Sequence, residues 1–284
     1  MENKNNYSMG KPFLKWAGGK QKLIPQYNQY FPSSITNYYE PFIGGGAVFF
    51  YLKSQSRIKG KAFLCDSNKE LINTYIMVRD NVSEVINELK YYEERHTKQF
   101  YYEVRALDRR AETIPDVSRA ARMIYLNKTC YNGLFRVNEK GYFNVPIGKY
   151  KNPRILDVEL LKNASKLLED SIIEVADFRS LHNQPRTGDF VYFDPPYHPL
   201  SPTSNFTSYT SNNFNDNDQK ELAGLFKKLS KDNVNCALSN SDSLYIRSLY
   251  ENFFIYTISA SRAINSLSTG RKKILELLIL NYDP

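Results

Sequence analysis

"DFVYFDPPYHP", residues 189–199, reads as a buried strand that stops against a rigid polar corner. Phe190 to Phe193 are aromatic or β-branched, as suits a strand covered on both faces. Asp194 puts a carboxylate at the strand end. Pro195 and Pro196 lack the N–H that a ladder needs, so they end the strand. Tyr197 sets an aromatic ring beyond them. An acid and a ring are thus held on either side of two residues with fixed φ.

Outward from this corner, the chain alternates strands and helices. "NYYEPF" (37–42) is a short strand, "IGGGAVFFYLKSQ" (43–55) a glycine turn running into a helix, and "KAFLCD" (61–66) a strand ending at an acid. That order begins a parallel α/β sheet. "SIIEVAD" (171–177) and "DFVYFD" (189–194) also end in acids, and "NCALSN", "FIYTISA" and "ILELLILNY" are the last strand candidates. From 69 to 129 the pattern is helical: Leu71, Ile72, Tyr75, Ile76, Val85, Ile86 and Leu89 recur at three- and four-residue spacing, and "VSRAARMIYLNK" follows. "FRVNEKGYFNVPIGKY" (135–150) switches to a hairpin, with its turn at Asn138–Gly141 and Pro146 ending the second arm. The sheet is therefore interrupted between its second and third strands. "HPLSPTSNFTSYTSNNFNDND" (198–218) is Ser-, Thr- and Asn-rich and predicts a long loop beside the corner, a candidate lid over it. "DQKELAGLFKKL" after it predicts a helix capped by Asp216 or Asn217.

Composition narrows the partner. The 284 residues carry a net charge of +8, which favours an anionic partner such as nucleic acid. The three cysteines and three histidines are scattered without a CxxC pair, so neither a zinc site nor a disulfide framework is expected. The polar opening "MENKNNYSMGKPF" has no apolar leader core, and no apolar run reaches membrane-spanning length. A cytoplasmic location is expected.

The chemistry-bearing residues sit at strand ends, where open α/β sheets bind ligands. Gly44, Gly45 and Gly46 let the backbone turn sharply and approach a ligand, and the next helix points N–H groups at it. This is not the GxGxxG fingerprint. Nor is "WAGGKQ" (16–21) a phosphate loop, because Leu14 and Gln21 stand where glycine and Ser/Thr would. Asp66 follows Gly44 by 22 residues, a spacing at which an acid accepts from ribose hydroxyls. Asp177 could accept from an adenine amino group, with the Phe178 ring over its face. The opening corner suits a target whose exocyclic amine must become a nucleophile. The Asp194 side chain and the Pro195 carbonyl can accept from its two hydrogens, stabilising a pyramidal nitrogen with a free lone pair. Tyr197 can stack on the base, which must leave a duplex to arrive there.

With these residues in view, the chain resembles the adenine-N6 DNA methyltransferases of the Dam type, and among them the GATC methylases of restriction–modification systems. The likeness rests on "PFLKWAGGK" (12–20), "EPFIGGGAVFF" (40–50), "YNGLFRVNEKGYFNVPIGKY" (131–150), "VYFDPPY" (191–197) and "SRAINSLSTGRKKILELLILNY" (261–282). It implies a Rossmann-like α/β sheet that binds S-adenosylmethionine, built from 1–68 and 155–284. A mostly helical DNA-recognition insertion with a β-hairpin would occupy 69–154. Trp16, Lys20, Phe42, Gly44, Gly46, Asp66, Asp177, Phe178 and Asp194 would hold the donor. Asp194, Pro195, Pro196 and Tyr197 would form the catalytic corner, with no metal. Arg136 would read a guanine, a bidentate contact worth roughly 1–3 kcal/mol. Lys15, Asn132, Leu134 and Pro146 would lie at the DNA, and Tyr131 or Asn132 would wedge into the space left by the flipped base. Duplex DNA at GATC sites is the implied substrate, and a restriction endonuclease the implied functional partner. An RNA adenine-N6 methylase and a silent DNA-binding regulator share these motifs as rivals. A zinc deaminase is excluded by the missing HxE and PCxxC ligands.

Overall fold

The computed structural model describes residues 10–110, 113–181, 184–200, 214–260 and 274–284. Its strands are β1 (Tyr38–Glu40), β2 (Ala62–Asp66), β3 (Ile172–Val175), β4 (Phe190–Phe193), β5 (Asn235–Ser241), β6 (Phe254–Ala260) and β7 (Ile274–Leu280). They form one seven-stranded sheet in the order β3-β2-β1-β4-β5-β7-β6. β1 to β5 are parallel, with Tyr38 opposite Ala62 on one side and Phe190 on the other. β7 runs antiparallel between β5 and β6, so the sheet predicted as parallel is mixed at that edge. All seven strand readings are found. This is a doubly wound, Rossmann-like α/β arrangement, and its strand order reverses between β1 and β4.

Alternation along the central strands separates two apolar layers. Tyr38, Phe190 and Tyr192 join Phe49, Phe50, Leu64 and Leu71 on one face. Tyr39, Val191 and Phe193 join Phe178, Leu222 and Phe226 on the other. β4 is buried along its whole length, which explains why it reads as an uninterrupted apolar run.

The helical stretch after β2 breaks into Lys69–Asp80 and Val82–Glu94 at Asn81, followed by Lys98–Arg105 and Asp116–Thr129. Asn68 starts the first by accepting from the amides of Glu70 and Leu71. These helices share one apolar cluster with the sheet, through Leu71, Val85, Leu89, Val104 and Ile124. The hairpin closes where predicted: Gly141 N–H donates to Asn138 O, and a bridge joins Val137 to Phe143. The cap of the later helix is corrected. Helix Asp216–Lys231 starts at Asn215, whose side chain bonds Asn217 and Asp218 in a capping box, so neither Asp216 nor Asn217 is the cap. Asn215 has the extended backbone a cap needs, whereas both candidates already lie in the first turn. The candidate lid falls largely in 201–213, outside the described residues. No helix among the described residues is long and apolar enough to cross a membrane.

Lys128, in the last turn of Asp116–Thr129, gives the fold a pH signature. Burial, then the nearby Lys15 charge, pushes its ammonium down to about 8. Below that pH, folded and unfolded chains are both protonated and the full desolvation cost is present. Between there and the ordinary lysine value of roughly 10.4, the folded chain holds fewer protons, so stability rises with pH. Lys128→Met should stabilise the protein by about 1–3 kcal/mol near neutrality, with the gain shrinking toward pH 10. Thermal melts at both pH values check this; an equal gain at each would contradict it.

Candidate active site

The site lies at the carboxyl ends of β1, β2 and β4, beside the point where strand order reverses. Between β1 and helix Ala47–Ser54, Gly44 and Gly46 take left-handed φ of +46° and +68°. A Cβ on Gly44 would lie 2.7 Å from Trp16 Cδ1, and one on Gly46 2.7 Å from the Tyr75 hydroxyl. Both the backbone conformation and the space therefore demand glycine. Gly44 N–H donates to Asp66 Oδ2 at 3.2 Å, and Asn68 N–H to Asp66 Oδ1 at 2.9 Å. Burial raises the Asp66 carboxyl above its usual range, and those amide bonds oppose the shift. Asp66 is thus locked to the glycine turn, a short, rigid acceptor for a ligand diol.

Next to it, Phe42, Phe178 and Phe214 form a three-ring cluster with centroids 5.5–5.8 Å apart. Phe178 is buried, whereas Asp177 is turned outward, its side chain 53% exposed and 3.0 Å from Arg179 Nη1. The glycine cradle, the locked acid and the rings fit a nucleoside-bearing donor such as S-adenosylmethionine.

Asp194 leaves β4 at the same end. Its Oδ1 takes both the Lys20 ammonium at 2.8 Å and the Ser239 hydroxyl at 2.7 Å. Among the described residues nothing donates to Asp194 Oδ2 or to the Pro195 carbonyl, whereas the Pro196 carbonyl accepts from Gln219 Nε2 at 3.0 Å. Lys20 is buried and its Nζ lies 4.8 Å from the centroid of the Tyr197 ring. Tyr197 donates its hydroxyl to Glu276 Oε2 at 2.7 Å. Burial raises the Glu276 carboxyl; the Lys20 charge and the Tyr197 bond oppose this. Glu40 at the end of β1 is fully buried, so burial raises its carboxyl well above the usual range, while it accepts from the Tyr38 hydroxyl at 2.9 Å.

The sequence-predicted DNA residues gather around one turn. Asn127, buried, accepts from Lys15 N–H at 2.8 Å and donates to the Lys15 and Gly133 carbonyls. Asn132 and Gly133 both take left-handed φ, and a Cβ on Gly133 would strike Lys15 Cβ at 2.8 Å. Tyr131 is 50% exposed, and its N–H donates to the carbonyl of Pro146, itself exposed. Leu134 is half-buried. Arg136 bonds Asn144 across the hairpin, Nε to Oδ1 at 2.5 Å. Trp16 connects this region to the glycine turn: it covers Gly44 and stacks on Phe135 with centroids 6.0 Å apart.

Sequence reasoning missed Ser239, Phe214, Gln219, Glu40 and Glu276. Glu276 left a signal, a lone charge inside the apolar run "ILELLIL". The others left none, since each acquires its role only when distant segments of the chain meet. Among the described residues no group of three or more His, Cys, Asp or Glu side chains could hold a metal ion.

The chain is similar to known proteins over nearly its whole length. The family described as D12 class N6 adenine-specific DNA methyltransferase matches residues 16–264. The Type II methyltransferase M.MjaIII of Methanocaldococcus jannaschii is 46% identical over 287 residues, covering 96% of this chain and 99% of that protein. The Type II methyltransferase M1.LlaDCHI of Lactococcus lactis subsp. cremoris is 43% identical, covering 96% and 95%. The DNA adenine methylase of Escherichia coli K12 is 33% identical, again covering 96% and 95%. With similarity extending over nearly the whole length of these proteins, the chain belongs to the D12 class of N6 adenine-specific DNA methyltransferases.

Proposed function

We propose that this enzyme methylates the N6 amino group of adenine in duplex DNA at GATC, on a base swung out of the helix, and that it protects DNA from a cognate restriction endonuclease. Adenine N6 methylation of DNA and the use of S-adenosylmethionine come with the family. The finer reading rests chiefly on Asp194 Oδ2 and the Pro195 carbonyl, two acceptors to which nothing donates among the described residues.

Bound S-adenosylmethionine would supply an electrophilic methyl carbon. The chain's own residues orient both partners. Gly44 and Gly46 admit the donor close to the backbone, Asp66 accepts from its ribose, and the Phe42–Phe178–Phe214 rings flank its base. At the corner, Asp194 Oδ2 and the Pro195 carbonyl accept from the two amino hydrogens of the target. Both are preorganised, one by Lys20 and Ser239, the other by the proline rings, so little reorganisation is needed as charge develops. With its lone pair freed, the amine would be placed to take the methyl group, the N–C bond forming as the S–C bond breaks; the sulfur would leave as a neutral thioether and the surplus N6 proton would pass to solvent. Tyr197 stacks on the extruded base.

We assign target recognition to 69–154. Arg136, already aimed by Asn144, would read guanine in the major groove. Tyr131 or Asn132 would fill the vacated stack. Lys15, Leu134 and Pro146 would complete the contact. The GATC reading is supported by the motif resemblance, and the protective reading by two relatives named Type II methyltransferases.

The decisive experiment offers labelled S-adenosylmethionine with two duplexes, one holding a single GATC and one with it scrambled. Label should appear as N6-methyladenine in the GATC duplex alone, and Asp194→Ala should abolish it while retaining the fold. Equal labelling of both duplexes would refute GATC selectivity; near-normal turnover by the variant would remove Asp194 from the mechanism. Asp66→Ala should weaken donor binding at least tenfold, about 1.4 kcal/mol, with less effect on DNA affinity. Calorimetric titration reads this, and unchanged donor affinity would rule out the ribose contact. Arg136→Ala should erode discrimination against sites altered at the guanine by about 1–3 kcal/mol. Relative kcat/KM on cognate and altered duplexes measures it; intact selectivity would exclude base readout.

A further inference from the structure

The mechanism above gives no task to Glu276, a half-buried acid beside the corner. Glu276 lies on β7, opposite Ser241 of β5 and Ile258 of β6. The residues that follow it, Leu277 to Leu280, are fully buried and apolar. A carboxylate brought into such surroundings is costly unless it is hydrogen-bonded and charge-compensated. Its recorded hydrogen-bond partner is the Tyr197 hydroxyl at 2.7 Å, within the range of a charge-assisted bond.

The backbone on both sides of Tyr197 is already clamped. Gln219 Nε2 donates to the Pro196 carbonyl at 3.0 Å, and His198 N–H donates to Asn240 Oδ1 at 3.0 Å. The two amides bond each other at 3.2 Å, and both are buried. What those clamps leave free is rotation of the Tyr197 side chain. The bond to Glu276 removes it by anchoring the far tip of the ring. The Lys20 ammonium lies over the same ring, so a stacked base must use the face away from it.

We propose that Glu276 is a positioning residue for base capture: by accepting the Tyr197 hydroxyl it fixes the angle of the ring on which the extruded adenine stacks, and so aims the N6 amine at Asp194 and Pro195. This rests on the reading that Tyr197 stacks on a flipped base. A different role for Glu276, mere compensation of the buried Lys20 charge, makes opposite predictions for the glutamine variant. Glutamine keeps a carbonyl acceptor for the tyrosine but has no charge.

The test uses the full chain with a GATC duplex. Single-turnover methyl transfer is measured for Glu276→Ala, Glu276→Gln, Tyr197→Phe and the Glu276→Ala/Tyr197→Phe double variant. In parallel, fluorescence is followed from duplexes with 2-aminopurine at the target adenine. Glu276→Ala should slow transfer about tenfold or more, as expected for a misaimed amine, with donor affinity unchanged. Glu276→Gln should stay within about threefold of the unaltered enzyme. Tyr197→Phe should reproduce the alanine loss, and adding Glu276→Ala to it should change little, because both break one bond. The extruded analogue should fluoresce more strongly in Glu276→Ala, having lost a well-placed quenching ring. Equal loss in the alanine and glutamine variants, persisting in the Tyr197→Phe background, would assign Glu276 to charge compensation and overturn the proposal. A normal rate in Tyr197→Phe would do so even if Glu276→Ala failed to fold. If the unaltered enzyme gave no fluorescence rise on binding DNA, base extrusion itself would fail. A rise that is the same in every variant, with unchanged rates, would reject the Glu276 role alone.

Discussion

Lys20 is a buried cation, and its contact with Asp194 Oδ1 is the constraint on which the rest of the site depends. An ammonium out of water must be surrounded by acceptors. Lys20 meets that need with Asp194 and the Gly18 carbonyl. The consequence for Asp194 is asymmetry. One oxygen takes both Lys20 and Ser239, which restrains the carboxylate, and among the described residues nothing donates to the other. Two contacts on one oxygen thereby orient the acid. The same ammonium lies over Tyr197, which ties the ring to the acid it accompanies.

A second dependence joins the two halves of the proposed reaction. Trp16 is packed so closely on Gly44 that no side chain fits there, and its other contact is Phe135 at the base of the hairpin. Its neighbour Lys15 is bonded through its backbone to Asn127, which also holds the turn at Gly133. The segment from Lys15 to Lys20 therefore touches the hairpin, the glycine turn and the corner within six residues. Interiors packed at this density transmit displacement rather than absorb it. That gives the glycine turn and the hairpin a short mechanical connection.

Much of this arrangement was legible in the amino-acid sequence by itself. A β4 strand buried on both faces announces itself as an apolar run, and prolines must end it, so the DPPY corner needs no tertiary information. Left-handed φ has to be met by glycine, so "IGGG" marks the turn before helix Ala47–Ser54. Strand, turn, helix and strand order predicts a parallel sheet whose ends carry Asp66 and Asp194, and both are found there. What the sequence left open depends on non-local pairing. Nothing near β7 specifies that it runs antiparallel between β5 and β6, because that is settled by which edge remains to be covered. Ser239, Phe214 and Gln219 are ordinary in their local contexts and gain meaning only beside β4. Asp177 and Phe178 adjoin in sequence, yet one faces solvent and an arginine while the other enters the core. Local chemistry determined which residues could act; the tertiary fold decided which would meet, because burial and charge pairing are properties of neighbours the chain brings from far away.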